Sequence, residues 1–206
     1  MFATQRLTAV AAVVLLASAC TDGDGASPSS SPGTTDPAIT APPTPTPEEQ
    51  AAADIQATFE ELIADRDAYY SNAGDYPLED VMTNSPATEW NVTGQAELEM
   101  SNWTVLWRQG EINQVGSVEI LSHDVGTLRL PDSRNIGQAS SSACLDLSSL
   151  AYETYEGSAA ELPYVPDWAQ TWKLTWVHHG EASPDAGIAS PGWYVETVNL
   201  ARNEPC

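Results

Sequence analysis

The sequence predicts an α+β fold, with N-terminal helices packed on a mostly antiparallel sheet and with a signal peptide and a disordered linker before them. Three observations support this class. A long amphipathic helix pattern begins after Thr46, strand-like runs dominate after Gly110, and the helical segments precede the strands instead of alternating with them. A chain of 206 residues has room for one such domain plus appendages.

Residues 1–19 have the layout of a secretory signal peptide. Arg6 supplies a basic start, an apolar run extends from Leu7 to Leu16, and small residues precede Cys20. The run is shorter than the roughly 20 residues that cross a bilayer, so removal is favoured over a permanent span.

The segment Leu16–Cys20 resembles the lipobox of bacterial lipoproteins, with Ala17 where that pattern most often has Leu. The resemblance implies that Cys20 becomes the first residue and carries acyl chains, which insert into membrane lipid. The protein is then expected at the extracytoplasmic face of the cell membrane, held by its lipid. Cleavage without lipidation is the alternative.

Residues 20–46 are nearly all Thr, Ser, Pro, Gly, Ala and Asp after the cysteine. A segment of this composition cannot bury a core, and Pro-rich chain stays extended at about 3.1 Å per residue. We therefore expect a disordered stalk that lifts a domain formed by residues 47–206 off the membrane.

The chain is strongly acidic, with 7 basic and 29 acidic residues and a formal net charge of −22. This charge repels nucleic acid and anionic lipid headgroups, so neither is expected as a partner. A solvated acidic surface and an attraction for cations or basic partners both fit the composition.

The helices are predicted from caps and periodicity. Thr46-Pro47-Glu48-Glu49 is a capping box, and the stop signal lies at Asn72-Ala73-Gly74. Further helices are predicted at Pro77–Thr83 and Thr93–Gln109. The first helix carries one apolar stripe: Ile55, Phe59, Leu62, Ile63, Tyr69 and Tyr70.

Strand-like runs follow the helices, and a turn is expected at His123-Asp124 because Asp favours turns. Trp168, Trp172, Leu174 and Trp176 should share one face of a strand. Gly180–Gly192 fits a long hairpin loop. The predicted strands are Gln114–Ser122, Gly126–Leu130, Ser141–Leu147, Ala169–His178 and Trp193–Leu200.

If Cys20 carries lipid, Cys144 and Cys206 remain as an even pair in an oxidising compartment, where a disulfide is favoured. Free thiols are the alternative.

The domain is similar to the nuclear transport factor 2-like (SnoaL-like) cone domains of secreted, stalked actinobacterial lipoproteins. The resemblance lies in the order of elements, in the helix end Trp107-Arg108-Gln109-Gly110, in the strands VEILS, ACLDLS and GWYVETV, and in the terminal Pro205-Cys206. It implies a strongly curved, cone-like sheet around the long helix, a Cys144–Cys206 disulfide, and a pocket between helix and sheet. The segments Pro131–Ser140 and Gly180–Gly192 depart from the compact pattern.

Aromatic side chains are the candidates for the pocket lining, although large rings more often fill cores. An apolar or sugar-like small molecule, or another envelope protein, is the expected partner. The candidate lining residues are Tyr69, Tyr70, Tyr76, Trp103, Trp107, Trp172, Trp176 and Trp193.

The sequence assigns no catalytic residue, and no cofactor is expected. His178 and His179 are adjacent on a strand and therefore point to opposite faces, which argues against a metal site. We expect a non-catalytic binding domain. The alternative is a SnoaL-like isomerase, dehydratase or cyclase, which needs an acid and a Tyr in one apolar pocket. Its candidates are Asp65, Tyr69, Tyr70, Tyr76, His123 and Asp124.

Intact mass spectrometry of the protein from its native or a related host tests the processing. We expect a chain that starts at an acylated Cys20 and gains about 2 Da on reduction, because one disulfide takes up two hydrogens. An unlipidated chain with two free thiols would contradict both the anchor and the family resemblance.

Overall fold

Three α-helices come first in the chain, as expected. A computed structural model describes residues 44–162 and 168–206, apart from the side chains of 202–205, so the signal peptide, Cys20 and most of the stalk lie outside the described residues. The helices are α1 (Pro47–Ser71), α2 (Leu78–Thr83) and α3 (Gly94–Gln109), with short 3-10 turns at Ala73–Asp75, Pro86–Glu89 and Pro184–Ala186. No helix in these ranges is long and apolar enough to cross a membrane.

The start of α1 is the capping box that the sequence predicts. The Thr46 hydroxyl accepts a hydrogen bond from the Glu49 backbone N–H at 3.2 Å, and the Glu49 carboxylate accepts one from the Thr46 N–H at 2.7 Å. Two otherwise unpaired N–H groups at the helix terminus are satisfied in this way. At the other end, Asn72 Nδ2 donates to the Ala68 carbonyl at 2.9 Å, and the helix stops at the predicted position.

Six strands follow the helices in the described part of the chain: β1 (Ile112–Val115), β2 (Glu119–Arg129), β3 (Gly137–Asp146), β4 (Ala151–Thr154), β5 (Gln170–His179) and β6 (Gly192–Pro205). They form two antiparallel sheets that do not close. Four strands pair in the order β2-β3-β5-β6, and β1 pairs with β4. The mixed α+β class with antiparallel sheets is therefore confirmed.

The predicted turn at His123-Asp124 is wrong. Both residues lie inside β2 and pair with Ala143 and Ser142 of β3. The chain bends earlier, at Gly116, whose φ of +92° is a conformation that glycine adopts without strain. Cross-strand pairing along the full length of β2 outweighs the local turn preference of Asp.

Other strand boundaries differ by a few residues. β3 begins at Gly137, inside the segment expected to depart from the compact pattern. The four-residue β4 was not predicted, because a strand this short carries little periodicity. Trp168 precedes β5 and is 48% exposed, so it does not share the face of Trp172 and Trp176.

The core lies between α1 and the inner face of the four-stranded sheet. Ile55, Phe59 and Leu62 of α1 are fully buried against the alternate residues of β5 that include Trp172 and Trp176. Alternation along β5 places Lys173 and Thr175 on the outer, exposed face. Burial of this one helix stripe therefore holds the two layers together.

Cys144 of β3 and Cys206 form the predicted disulfide, with their Cα atoms 5.9 Å apart. The bridge joins residues 62 positions apart and fastens the C-terminus to the sheet. By chain entropy, closure of such a loop stabilises the fold by about 4 kcal/mol.

Asp67 is a buried polar anchor between α1 and the chain that connects β1 and β2. Its Oδ2 accepts a hydrogen bond from the Val118 N–H at 2.6 Å, and its Oδ1 accepts from Gln114 Nε2 at 2.9 Å. Arg66 Nη1 lies 3.0 Å from the same Oδ1. Three donors therefore converge on one carboxylate that is only 8% exposed.

The substitution Asp67→Asn should destabilise the domain by about 1–3 kcal/mol. The amide nitrogen of Asn cannot accept a hydrogen bond, so one of the buried N–H donors that now bond to the carboxylate would lose its acceptor. The urea midpoint, measured by circular dichroism, reports the change. Asp65→Asn on the same helix is the matched control and should shift stability by less than about 0.5 kcal/mol. Equal midpoints for the two variants would contradict the anchoring role.

Candidate functional site

A cavity of about 430 Å³ lies between the last turn of α1, the second half of α3, and β4 to β6. The aliphatic side chains Ile112, Leu147 and Leu162 contribute to its walls, and Leu106, 64% exposed, lies at its solvent side. Aromatic rings form most of the remaining wall: Tyr70, Trp103, Trp107, Tyr152 and Trp172.

The secondary structure positions these rings. Tyr70 lies at the end of the α1 stripe, Trp103 and Trp107 are one turn apart on α3, and Trp172 points inward from β5. Side chains four residues apart on a helix lie on the same face. Three separate elements thus direct rings into one volume.

The rings hold one another in place. Tyr70 stacks on Trp107 with ring centroids 4.5 Å apart, and Tyr152 meets Trp107 edge to face at 5.7 Å. Trp103 and Trp172 form a second edge-to-face pair at 6.2 Å. Such pairs are favourable beyond the area they bury, so the cavity wall is largely preformed.

Arg66 is the cationic side chain of the wall. Its guanidinium lies 4.5 Å from the centre of the Tyr70 ring and 6.0 Å from that of Trp172, within the range of cation–π attraction. Its ion pair with Asp67 neutralises the charge locally. The cavity is therefore mainly apolar, with a single oriented guanidinium.

Three donors on the wall have no hydrogen-bond acceptor among the described residues. They are Arg66 Nε, Trp107 Nε1 and Trp172 Nε1. Buried donors without acceptors are costly, and three of them belong to residues around this one cavity. The wall therefore combines apolar ring faces with donors whose acceptors are not supplied by the described residues.

The wall offers little acid–base chemistry. Burial raises the pKa of Tyr70 and of Tyr152, which keeps both phenols neutral near pH 7. Within the described parts of the chain, no Asp or Glu lines the cavity.

Four of the eight candidate lining residues line this cavity, namely Tyr70, Trp103, Trp107 and Trp172. Tyr69 instead packs between the helices, where its hydroxyl donates to the Thr104 carbonyl at 2.9 Å. Burial raises the pKa of Tyr69.

Three further candidates also lie elsewhere. Tyr76 packs on Tyr69 with ring centroids 5.0 Å apart and is 38% exposed. Trp176 is buried in the core, and its Nε1 donates to Ser141 Oγ at 2.8 Å. Trp193 is buried against His178, with ring centroids 5.1 Å apart. These three rings do not line the cavity: Trp176 and Trp193 are buried in other packing contacts, and Tyr76 lies partly exposed on Tyr69.

Neither candidate acid lines the cavity. Asp124 is exposed on β2, and Asp65 on α1 lies outside the cavity lining. Desolvation raises the pKa of Asp65, with a further contribution from Glu61. Across residues 44–162 and 168–206, no group of three or more His, Cys, Asp or Glu side chains is arranged to hold a metal.

Sequence reasoning missed Arg66 and Tyr152. Arg66 lies four residues before Tyr70 and thus continues the inward face of α1, which was the available signal. Tyr152 lies on the unpredicted strand β4 and had no comparable signal.

His123 is half-buried on the face of the sheet that α1 covers. Its Nε2 lies 2.8 Å from Ser141 Oγ, and its ring centre is 4.4 Å from that of Phe59. Desolvation lowers the pKa of His123 to about 4, against the opposing effect of Asp124. The imidazole is therefore neutral in the folded protein and contributes to the core.

No protein-family model matches this chain, and no curated protein matches it. Two solved chains match in structure, one of which is the intermembrane space region of the chloroplast protein ARC6. That match has a TM-score of 0.41 and 9% sequence identity, and covers 72% of this chain and 95% of that chain. So low a TM-score carries no inference, and function must be argued from the cavity.

The lowered pKa of His123 predicts that the stability of the fold depends on pH. The unfolded side chain titrates near 6.5 and the folded one near 4, so the unfolded state binds more protons between these values. Stability should be greatest above pH 6.5 and fall as the pH drops to 4, by on the order of 1–2 kcal/mol from this group, because solvent screens part of the effect at a half-buried ring.

Urea denaturation at several pH values compares the wild type with His123→Gln, which should show a shallower acid dependence. Parallel pH profiles for the wild type and His123→Gln would show that His123 does not contribute.

Proposed function

We propose that this chain is an extracytoplasmic lipoprotein whose folded domain binds a small, mainly apolar molecule without catalysis. The observation that carries the proposal is the cavity of about 430 Å³, walled by five aromatic rings. Its volume lies within the range of small-molecule sites, and mainly apolar walls with a few polar groups are typical of them.

The proposed location comes from the sequence. The signal peptide and Cys20 favour export and a lipid anchor, and the stalk up to Thr46 would hold the domain away from the membrane. The Cys144–Cys206 disulfide supports an oxidising compartment outside the cytoplasm. The resemblance to nuclear transport factor 2-like domains stays part of the proposal, supported by helices that precede an antiparallel sheet and by a pocket between them.

Binding is favoured over the isomerase, dehydratase or cyclase alternative by the chemistry of the wall. A general base must lie within hydrogen-bond reach of the proton that it removes. The described lining contains no carboxylate, and Asp67, which neighbours Arg66, already accepts three hydrogen bonds. The oriented rings and the guanidinium suit recognition of an apolar body that carries one acceptor.

An uncharged fluorescent probe tests the cavity. N-phenyl-1-naphthylamine should bind with one-to-one stoichiometry and an emission increase, because its rings fit between aromatic walls. Trp103→Ala should weaken binding about tenfold, which corresponds to about 1.4 kcal/mol.

Trp168→Ala is the matched control, since Trp168 is 48% exposed and does not line the cavity. Leu106→Asp tests the same cavity at an exposed position, where the substitution should preserve folding. This variant should also bind the probe more weakly. If the wild type, Trp103→Ala and Leu106→Asp bound the probe with equal affinity, the probe would not bind in the aromatic cavity, and the proposal would be contradicted.

A further inference from the structure

We propose that the ligand is an amphiphile with an uncharged, hydroxyl-rich head, and that this head occupies a polar cleft that adjoins the aromatic cavity. The inference rests on the proposed function, because the apolar part of the ligand must lie in the cavity. It adds the chemical class of the ligand and a second subsite.

The cleft lies between the first half of α3 and β6 and has a volume of about 510 Å³. Two of its lining residues, Trp103 and Leu200, also line the aromatic cavity. Trp103 and Leu200 are therefore a wall common to both volumes, and a ligand that lies across this wall would contact the cavity and the cleft.

The character of the wall changes at Trp103. On the cavity side lie Tyr70, Trp107 and Trp172, whereas on the cleft side lie polar side chains of α3 and β6. The polar side chains are Gln95, Glu99, Thr197 and Asn199. An occupant that satisfies both sides has an apolar body and a hydrogen-bonding head.

The cleft offers both donors and acceptors. Gln95 Nε2 donates to Glu99 Oε1 at 2.6 Å, which leaves the second carboxylate oxygen and the Gln95 carbonyl as acceptors. The amide of Asn199 supplies a donor and an acceptor. A head with several hydroxyl groups matches such a mixed set, and the Trp103 ring provides a flat apolar surface for the face of a sugar-like ring.

Charge selects against an anionic head. Glu99 contributes its carboxylate to the cleft, and no Lys or Arg lines the cleft among the side chains that the structure describes. The net charge of −22 adds a repulsive field of the same sign. A carboxylate or phosphate head would therefore be placed beside the Glu99 carboxylate.

Four probes with the same eight-carbon chain distinguish the contribution of the polar head to binding from that of the apolar chain. Calorimetric titration of the whole folded protein uses octyl β-D-glucoside, 1-octanol, octanoate and octyltrimethylammonium, each below its micellar concentration. We expect the glucoside to bind about tenfold more tightly than octanol, because several hydrogen bonds are added. Octanoate should bind more weakly than octanol.

Variants locate the head. Glu99→Ala should reduce glucoside affinity about tenfold, to that of octanol, and leave octanol binding unchanged. Gln95→Ala, at an exposed position, should act in the same direction and serves if Glu99→Ala does not fold. Glu97→Ala, on another face of α3 and outside the cleft lining, is the matched control and should change neither affinity.

The outcomes separate the two proposals. Equal affinity for the glucoside and octanol, with no effect of Glu99→Ala, overturns the assignment of the head while the naphthylamine probe still binds. Tightest binding of octanoate or of octyltrimethylammonium also overturns it, in favour of a charged head. Failure of the naphthylamine probe and of all four octyl probes overturns the proposed function itself.

Discussion

The packing of α1 against the inner face of the four-stranded sheet is the interaction on which the rest of the structure depends. Ile55, Phe59 and Leu62 are fully buried there, and among the described residues no second helix of similar length covers the sheet. Toward the end of α1 the stripe changes from aliphatic residues to tyrosines. The cavity lies beside these rings, where Tyr70 stacks on Trp107 and Trp172 forms part of the same wall.

The buried carboxylate of Asp67 contacts both the core and a residue of the cavity wall. Asp67 holds the backbone at Val118, and the same carboxylate pairs with Arg66 at 3.0 Å. The pair orients the guanidinium over Tyr70 and cancels its charge. Stability and the character of the cavity are coupled through this carboxylate, since its loss would leave Arg66 as an uncompensated cation in an apolar wall.

The α1 helix shows which features could be predicted from the sequence and which could not. The capping box at Thr46 and the stop at Asn72 act within a few residues, so both ends were predicted correctly. Tyr69 and Tyr70 belong to the same stripe, yet only Tyr70 faces the cavity, while Tyr69 is bonded to Thr104. Which neighbour contacts the cavity depends on where α3 crosses α1. The same limit applies to His123, whose place in the middle of β2 depends on pairing with Ala143.

By itself the sequence determined the α+β class, the three helices, most of the strands and the even pair of cysteines, because caps, periodicity and residue counts are local or compositional properties. The tertiary structure alone decided which rings fill the core and which surround an open volume. It also brought Trp103 between an apolar cavity and the polar cleft at Glu99. These outcomes depend on how elements distant in the chain pack together. A hydrophobic pattern predicts which face of a helix or strand is buried, but it does not predict whether the facing elements fill the volume beside that face or leave a cavity.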